Sequence, residues 1–195
     1  MKSFKLARLI IFLFALSLII ATPALADVKS ISECHDLSLR SVSWTDNHIL
    51  HQFDPSLGKL LRVDVNVTMT STQYVGVENT DSPNPETVVF DASRWLYVTM
   101  PVGGKMYTAK TNHFSQYVTT YDGILDYWGT SGFNTTFMDG NITTRTYTSP
   151  ADLALFIAST PGETKSYATN ASGNVDFFGS ANWDTRVRTR VASKM

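Results

Sequence analysis

Leu60-Leu61-Arg62-Val63-Asp64-Val65-Asn66-Val67-Thr68-Met69-Thr70 decides the fold class. Leu61, Val63, Val65, Val67 and Met69 alternate with Arg62, Asp64, Asn66, Thr68 and Thr70, a period of two. Successive side chains on an extended strand point to opposite faces, so this segment has one apolar face and one wet face. Such a strand belongs to an antiparallel sheet with one solvated side. Working outward, Asp54-Pro55-Ser56-Leu57-Gly58 precedes it as a turn: a turn-opening Asp, a Pro with preset φ and a Gly free to take positive φ. Ser82-Pro83-Asn84-Pro85 follows as a loop, because neither proline can donate to a ladder.

Further along, Pro101-Val102-Gly103-Gly104 reads as a reversal. Asp122-Gly123 and Asp139-Gly140 read as two-residue hairpin turns, the first flanked by Tyr121 and Ile124, the second pairing Phe137 with Ile142. From Asn182 to Val191, Trp183, Thr185, Val187, Thr189 and Val191 form an inward row against Asp184, Arg186, Arg188 and Arg190. One short helix is expected. Ser149 serves as its N-cap, Pro150 as its first residue and Asp152 as the reciprocal acid, with Leu153, Phe156 and Ile157 buried and an end near Ala158. Many short strands with closely spaced turns predict an all-β, antiparallel β-sandwich, jelly-roll or immunoglobulin-like, with one short helix.

At the amino end, Lys2, Lys5 and Arg8 lead into an apolar run from Leu9 to Ala21 and then Ala24-Leu25-Ala26. That is the layout of a secretory signal peptide, residues 1–26, cut before Asp27. Taking 26 residues from 195 leaves 169, enough for one domain without a metal or disulfide. Removing three basic residues from a chain of net charge −1 leaves −4, which argues against nucleic acid and anionic membrane surfaces as partners. No transmembrane domain is expected after signal cleavage. Residues 27–38 read as a polar lead-in containing the single cysteine, Cys34, and residues 39–195 as the sandwich domain.

Phe53-Asp54-Pro55-Ser56-Leu57-Gly58-Lys59-Leu60, the alternating strand and Glu78-Asn79 resemble the opening of the choice-of-anchor E domain. Asp122-Gly123, Asp126-Tyr127 and Gly129-Thr130-Ser131-Gly132 resemble that family's Gly/Asp-rich middle. Leu153-Ala154-Leu155-Phe156-Ile157 resembles its short helix, and Gly173-Asn174 with the final alternating strand resembles its end. The resemblance runs from about Leu39 to Val191 and implies an exported surface protein with no established catalytic residues. The family's C-terminal sorting tail has no counterpart in Arg190-Val191-Ala192-Ser193-Lys194-Met195. The expectation is a released protein, or one held at the surface by a partner.

Chemistry-bearing residues are few. His48 and His51 lie three apart on a strand and face opposite sides, so they do not converge on a metal. Gly-x-Ser-x-Gly, His-Glu-x-x-His and phosphate-loop motifs are missing from the sequence. Asp122, Asp126 and Asp139 sit in Gly-rich turns and make calcium the one candidate cofactor, against the plainer reading that Asp builds such turns by bonding its own backbone. Tyr127-Trp128 is the candidate sugar-stacking pair, whereas Trp95, Tyr97 and Trp183 are assigned to the core. The Arg186, Arg188, Arg190 row reads as a solvated face that discourages edge pairing. Asn66, Asn134, Asn141 and Asn170 begin Asn-x-Ser/Thr acceptor sequons for a host that glycosylates.

These readings converge on an extracellular, secreted or cell-surface protein without catalysis, structural or adhesive in role, whose partner is an envelope component, a surface protein or a glycan. A carbohydrate-binding module and a secreted hydrolase are the alternatives.

Overall fold

Eight strands carry the chain: β1 (Asp36–Ser41), β2 (Trp44–His51), β3 (Val63–Asn79), β4 (Glu86–Thr99), β5 (Lys105–Val118), β6 (Gly132–Tyr147), β7 (Thr164–Phe178) and β8 (Trp183–Lys194). The computed structural model describes residues 28–81, 83–179 and 182–195. The signal segment 1–26 and Ser82 therefore lie outside the described residues. Residues 28–32 carry no regular secondary structure, and Glu33–Met195 is a separate compact unit. Among the described residues, no helix is long and apolar enough to cross a membrane.

Two four-stranded sheets form, in the orders β1-β8-β3-β6 and β2-β7-β4-β5. Pairing is antiparallel throughout, first strand with last, second with seventh, third with sixth and fourth with fifth. Contacts of β3 with β8 and of β4 with β7 complete the sheets. This is one long hairpin rolled into two layers, the eight-stranded jelly roll, and it settles which of the two expected sandwich types the chain adopts. The hairpin reverses where the sequence placed a reversal. Met100 N–H donates to Gly104 O (3.1 Å), and Gly103 and Gly104 take φ of 74° and 67°.

The expected turn at Asp54 is a 3-10 turn over Pro55–Leu57, with Asp54 Oδ1 accepting from Ser56 N–H. The helix forms as α1 (Pro150–Leu153), with Ser149 Oγ accepting from Asp152 N–H (3.2 Å), and runs on as a 3-10 turn through Phe156. Leu153 and Phe156 are buried and close one end of the sandwich, with the Phe156 ring 4.8 Å from that of Tyr147. Ile157 is half-buried and instead makes a parallel bridge to Phe53.

Val65, Val67 and Met69 face inward as expected, but β3 continues nine residues past Thr70 to Asn79. Its inward row runs on through Ser71 and Gln73 before returning to Val75 and Val77. Those polar residues belong to a belt across the middle of the sandwich that divides two apolar clusters, one around Val67, Met69, Leu96 and Met106, the other around Val75, Val77, Val88 and Phe90. Arg94 is the centre of the belt and is fully buried. Its five N–H groups meet five acceptors: Ser71 Oγ (3.2 Å), Gln73 Oε1 (2.9 Å), Ala92 O (2.9 Å), Asn112 Oδ1 (2.7 Å) and the Asp139 carboxylate. An arginine with every donor satisfied is the condition under which a buried charge is tolerated.

Several sequence expectations are corrected by this belt and its neighbours. Asp139-Gly140 is not a hairpin turn but the middle of β6, where Asp139 pairs with Ser71 and Gly140 with Thr70. The glycine is there for close approach: a Cβ at 140 would lie 2.5 Å from Met69 O. Asp122-Gly123 is a turn inside a loop, with no strands paired around it. Trp95 and Tyr97 are not core residues. Because Arg94 faces inward with Ala92, Leu96 and Val98, the two aromatics of β4 lie on the outer face of their sheet. Trp183 is half-buried and packs on Phe177, and Val187 is exposed although its row faces inward at Thr189 and Val191. The lead-in is also shorter than expected. β1 starts at Asp36, Leu37 is buried, and His35 exchanges backbone bonds with Met195 (2.8 and 3.1 Å).

The free edges of β5 and β6 face each other and are closed by side chains rather than by a ladder. Asn141 Nδ2 donates to Ala109 O (3.0 Å), Thr143 Oγ1 to Tyr107 O (2.8 Å), and Arg145 to Gly103 O (2.9 Å) and Lys105 O (3.0 Å). Side chains of residues 141–145 thereby occupy edge carbonyls over residues 103–109.

Candidate functional site

The β5–β6 connection, residues 119–131, gathers most of the residues singled out from sequence. It folds over one end of β3 and is pinned at many points. Thr119 N–H donates to Thr130 O (2.8 Å) and Tyr121 N–H to Asp81 O (3.1 Å), while Asn79 N–H donates to Ser131 O (2.9 Å). Asp122 Oδ1 accepts from Ile124 N–H (2.9 Å) and Asp126 Oδ1 from Trp128 N–H (2.8 Å), the self-bonded turns that Asp favours.

Tyr127 is the strained point, a non-glycine residue at φ 63°. Glu78 holds it there. This fully buried side chain accepts the Tyr127 N–H at Oε2 (2.8 Å), and Asn134 Nδ2 donates to Tyr127 O (3.1 Å). Two glycines make room. A Cβ at Gly132 would lie 2.2 Å from Glu78 Oε2, and one at Gly76 would lie 3.3 Å from the Tyr127 ring. Burial raises the Tyr127 phenol pKa, with the nearby Asp184 carboxylate adding to the effect.

The expected Tyr127-Trp128 platform is therefore split. Tyr127 is half-buried against the sheet, whereas Trp128 is 64% exposed. Ile124 (60%) and Leu125 (48%) project from the same loop. Rigid backbone and exposed apolar side chains make this a surface able to seat against a partner, with Trp128 its largest anchor.

The calcium set does not assemble. Asp122 and Asp126 share the loop, but Asp139 lies seven residues along β6 from Gly132, about 23 Å at strand rise, and is held by Arg94. Among the described residues, no group of three or more His, Cys, Asp or Glu is placed to hold a metal ion. The acceptor asparagines are scattered. Asn66 and Asn141 are exposed on β3 and β6, Asn134 is half-buried beside Tyr127, and Asn170 is half-buried on β7, its Oδ1 accepting from Thr45 Oγ1 (2.9 Å). His48 and His51 do face opposite ways. His48 is buried, its Nε2 2.8 Å from Ser193 Oγ and its Nδ1 3.3 Å from His35 Nδ1, while exposed His51 pairs with Glu33. Cys34 is an exposed free thiol. Arg186, Arg188 and Arg190 are exposed on the outer face of β8.

The surface of the described residues has shallow depressions, two of which bear on the residues singled out above. One, of about 310 Å³, lies on the outer face of β2-β7-β4-β5 at Trp95 and Tyr97. The other, of about 480 Å³, lies between the Pro55 turn and α1, lined by residues such as Phe53, Leu60 and Leu153. Neither is lined by a carboxylate, and neither reaches His48 or Ser193.

No family model matches the chain, and no curated protein matches it. Among solved structures, one described as the crystal structure of the infectious bursal disease virus VP2 subviral particle aligns at 12% identity and a TM-score of 0.14, over 89% of this chain and 40% of that chain.

Sequence reasoning missed Glu78 as the anchor of the loop and Arg94 as the centre of the core. The signal for both was present as charge within an otherwise apolar stretch, Val75-Gly76-Val77-Glu78 and Ala92-Ser93-Arg94-Trp95-Leu96.

Proposed function

We propose that the mature chain is an exported, non-catalytic protein of the cell surface or envelope that works by presenting its β5–β6 loop to an apolar site on an envelope or surface protein. The carrying observation is the contrast within that loop: a backbone pinned by Glu78, Asp122, Asp126 and Asn134, with Ile124, Leu125 and Trp128 exposed. A preformed loop loses little conformational freedom on binding, so its apolar area is turned into affinity. The signal layout and the resemblance to choice-of-anchor E domains support the location. A protein partner is favoured over a sugar at this loop because only one of the two rings is free to stack.

The test is fractionation of the native cell with wild type and Trp128→Ala. Wild type is expected in the envelope or surface fraction with Asp27 as its first residue, and Trp128→Ala in the medium, its melting temperature unchanged. Intact chain in the cytosol, or retention indifferent to Trp128, would refute the proposal.

A further inference from the structure

The outer face of β2-β7-β4-β5 carries a second candidate surface, independent of the loop. Trp95 and Tyr97 are two apart on β4, so both rings stand on that face. Strand pairing sets polar partners beside them: Ser172 of β7 is opposite Trp95, Asn170 is opposite Tyr97, and Thr45 of β2 is opposite Asn170. Ser43 completes the rim, its Oγ 2.9 Å from Ser172 Oγ. These six side chains line the depression of about 310 Å³. No Asp, Glu, Lys, Arg or His lines it. Lys105 is not in the lining, but its Nζ lies over the Tyr97 ring, 3.8 Å from its centre, and takes up one face of that ring.

The composition selects the ligand. An apolar molecule would cover the aromatic rings but also the polar capacity that the Ser43–Ser172 and Thr45–Asn170 bonds leave unused, the Asn170 amide N–H groups and one serine hydroxyl hydrogen, at a cost for each. An anionic ligand would find no cation in the lining, and the neighbouring Lys105 ammonium is already held over the Tyr97 ring. A molecule with an apolar C–H face and a fringe of hydroxyls matches both parts of the surface, in the way aromatic rings with polar neighbours commonly take amphipathic ligands. We propose that this depression binds a neutral saccharide, a sugar ring lying on Trp95 and Tyr97 with its hydroxyls bonded by Ser43, Thr45, Asn170 and Ser172. The saccharide has two sources. It is a free glycan, or it is a glycan carried by the chain itself, because Asn170-Ala171-Ser172 is an acceptor sequon set in the rim.

The experiment separates the sources. The mature chain made in a non-glycosylating host is run through native gels containing soluble neutral polysaccharides and applied to a glycan array. Retardation by a neutral glycan that falls about tenfold in Trp95→Ala and Tyr97→Ala, and is unchanged in Trp128→Ala, identifies a free ligand. If Trp95→Ala does not melt cooperatively, Thr45→Ala with Asn170→Gln takes its place, with the same loss expected. The chain made in a glycosylating host is melted before and after enzymatic deglycosylation. A melting temperature that drops on deglycosylation in wild type but not in Tyr97→Ala identifies the chain's own glycan. The proposal is overturned if no neutral saccharide binds and the Asn170 glycan leaves the melting temperature unchanged, or if binding persists in the shelf variants. Loss of envelope retention in Trp128→Ala bears only on the loop.

Discussion

Replacing Asp139 with Asn removes the one formal counter-charge, among the described residues, of a guanidinium that water does not reach. Arg94 is fully buried and the Asp139 side chain is 20% exposed. The variant keeps an oxygen for Arg94 Nη2 and for Ser71 Oγ–H, now 3.1 Å from Asp139 Oδ1, so shape and hydrogen-bond count change little. What is lost is charge. Breaking a buried pair by removing one partner costs about 3–5 kcal/mol, and the retained amide oxygen and partial exposure of Asp139 place this case near about 3 kcal/mol. For a chain of this length that lowers the melting temperature by roughly 6–12 °C, at about 2–4 °C per kcal/mol. Thermal melts followed by circular dichroism, with urea titrations of the same samples, measure it. A double-mutant cycle with Arg94→Met isolates the pair, and a coupling of about 2 kcal/mol is expected. Additivity of the two variants within about 0.5 kcal/mol would refute the reasoning, because it would mean that the belt's neutral acceptors already satisfy the arginine. The same pair has a pH signature. Burial raises the Asp139 pKa, but the bonds and charge of Arg94, with Ser71 and Asn112, outweigh it and hold the value below the usual carboxylate range. Its contribution is present above the unfolded pKa and is lost as pH falls through the lower folded one.

Three other outcomes follow from particular residues. Burial, with the adjoining His35, holds the His48 pKa down from 6.5 to about 4, while the Asp36 and Asp46 carboxylates oppose the shift. The unfolded chain therefore binds the proton first, and stability falls as pH drops from 6.5 towards 4 by roughly 3 kcal/mol. Urea midpoints across that range measure the fall, His48→Gln should flatten it, and an unchanged slope in the variant would assign it elsewhere. Gly140→Ala drives a Cβ to 2.5 Å from the Met69 carbonyl, which forces β3 and β6 apart at a cost of about 1–3 kcal/mol, read as a lower melting temperature. Glu78→Ala frees the Tyr127 N–H, so hydrogen exchange at that amide should quicken while the amides of Val67 and Met69 stay protected.

Where local chemistry was self-contained, the sequence was legible. The Asp54 and Ser149 caps, the Gly103-Gly104 reversal and the Val65, Val67, Met69 row all form as read. Reading stopped wherever a residue's setting came from another strand. The alternating row of β3 reads as ending at Thr70, because Ser71 and Gln73 look like solvent-facing residues until Arg94 stands opposite them. Trp95 and Tyr97 share a face, and aromatic residues usually fill sheet cores, but Val88, Phe90, Ala92, Arg94, Leu96 and Val98 take the inward positions and turn both rings outward. Asp139-Gly140 carries the strongest hairpin dipeptide, yet extended pairing along both partners of the ladder overrides it.

For the candidate sites, the exposed Trp128 and the self-bonded Asp122 and Asp126 follow from loop composition, since each depends on neighbours two residues away. The depression at Trp95 and Tyr97 does not, because its lining comes from β4, β7 and the segment around β2, brought together only by strand order.

Alternation, turn residues and caps by themselves determined that this chain makes antiparallel sheets with one wet side, because those signals act within a few residues. The folded form alone decided the jelly-roll order, the polar belt and the outward faces of Trp95 and Tyr97. A buried arginine needs five acceptors, and Ser71, Gln73, Asn112 and Asp139 reach it from 18 to 45 positions away. No local pattern registers such a requirement, because it is met only once the strands that carry the acceptors stand beside one another.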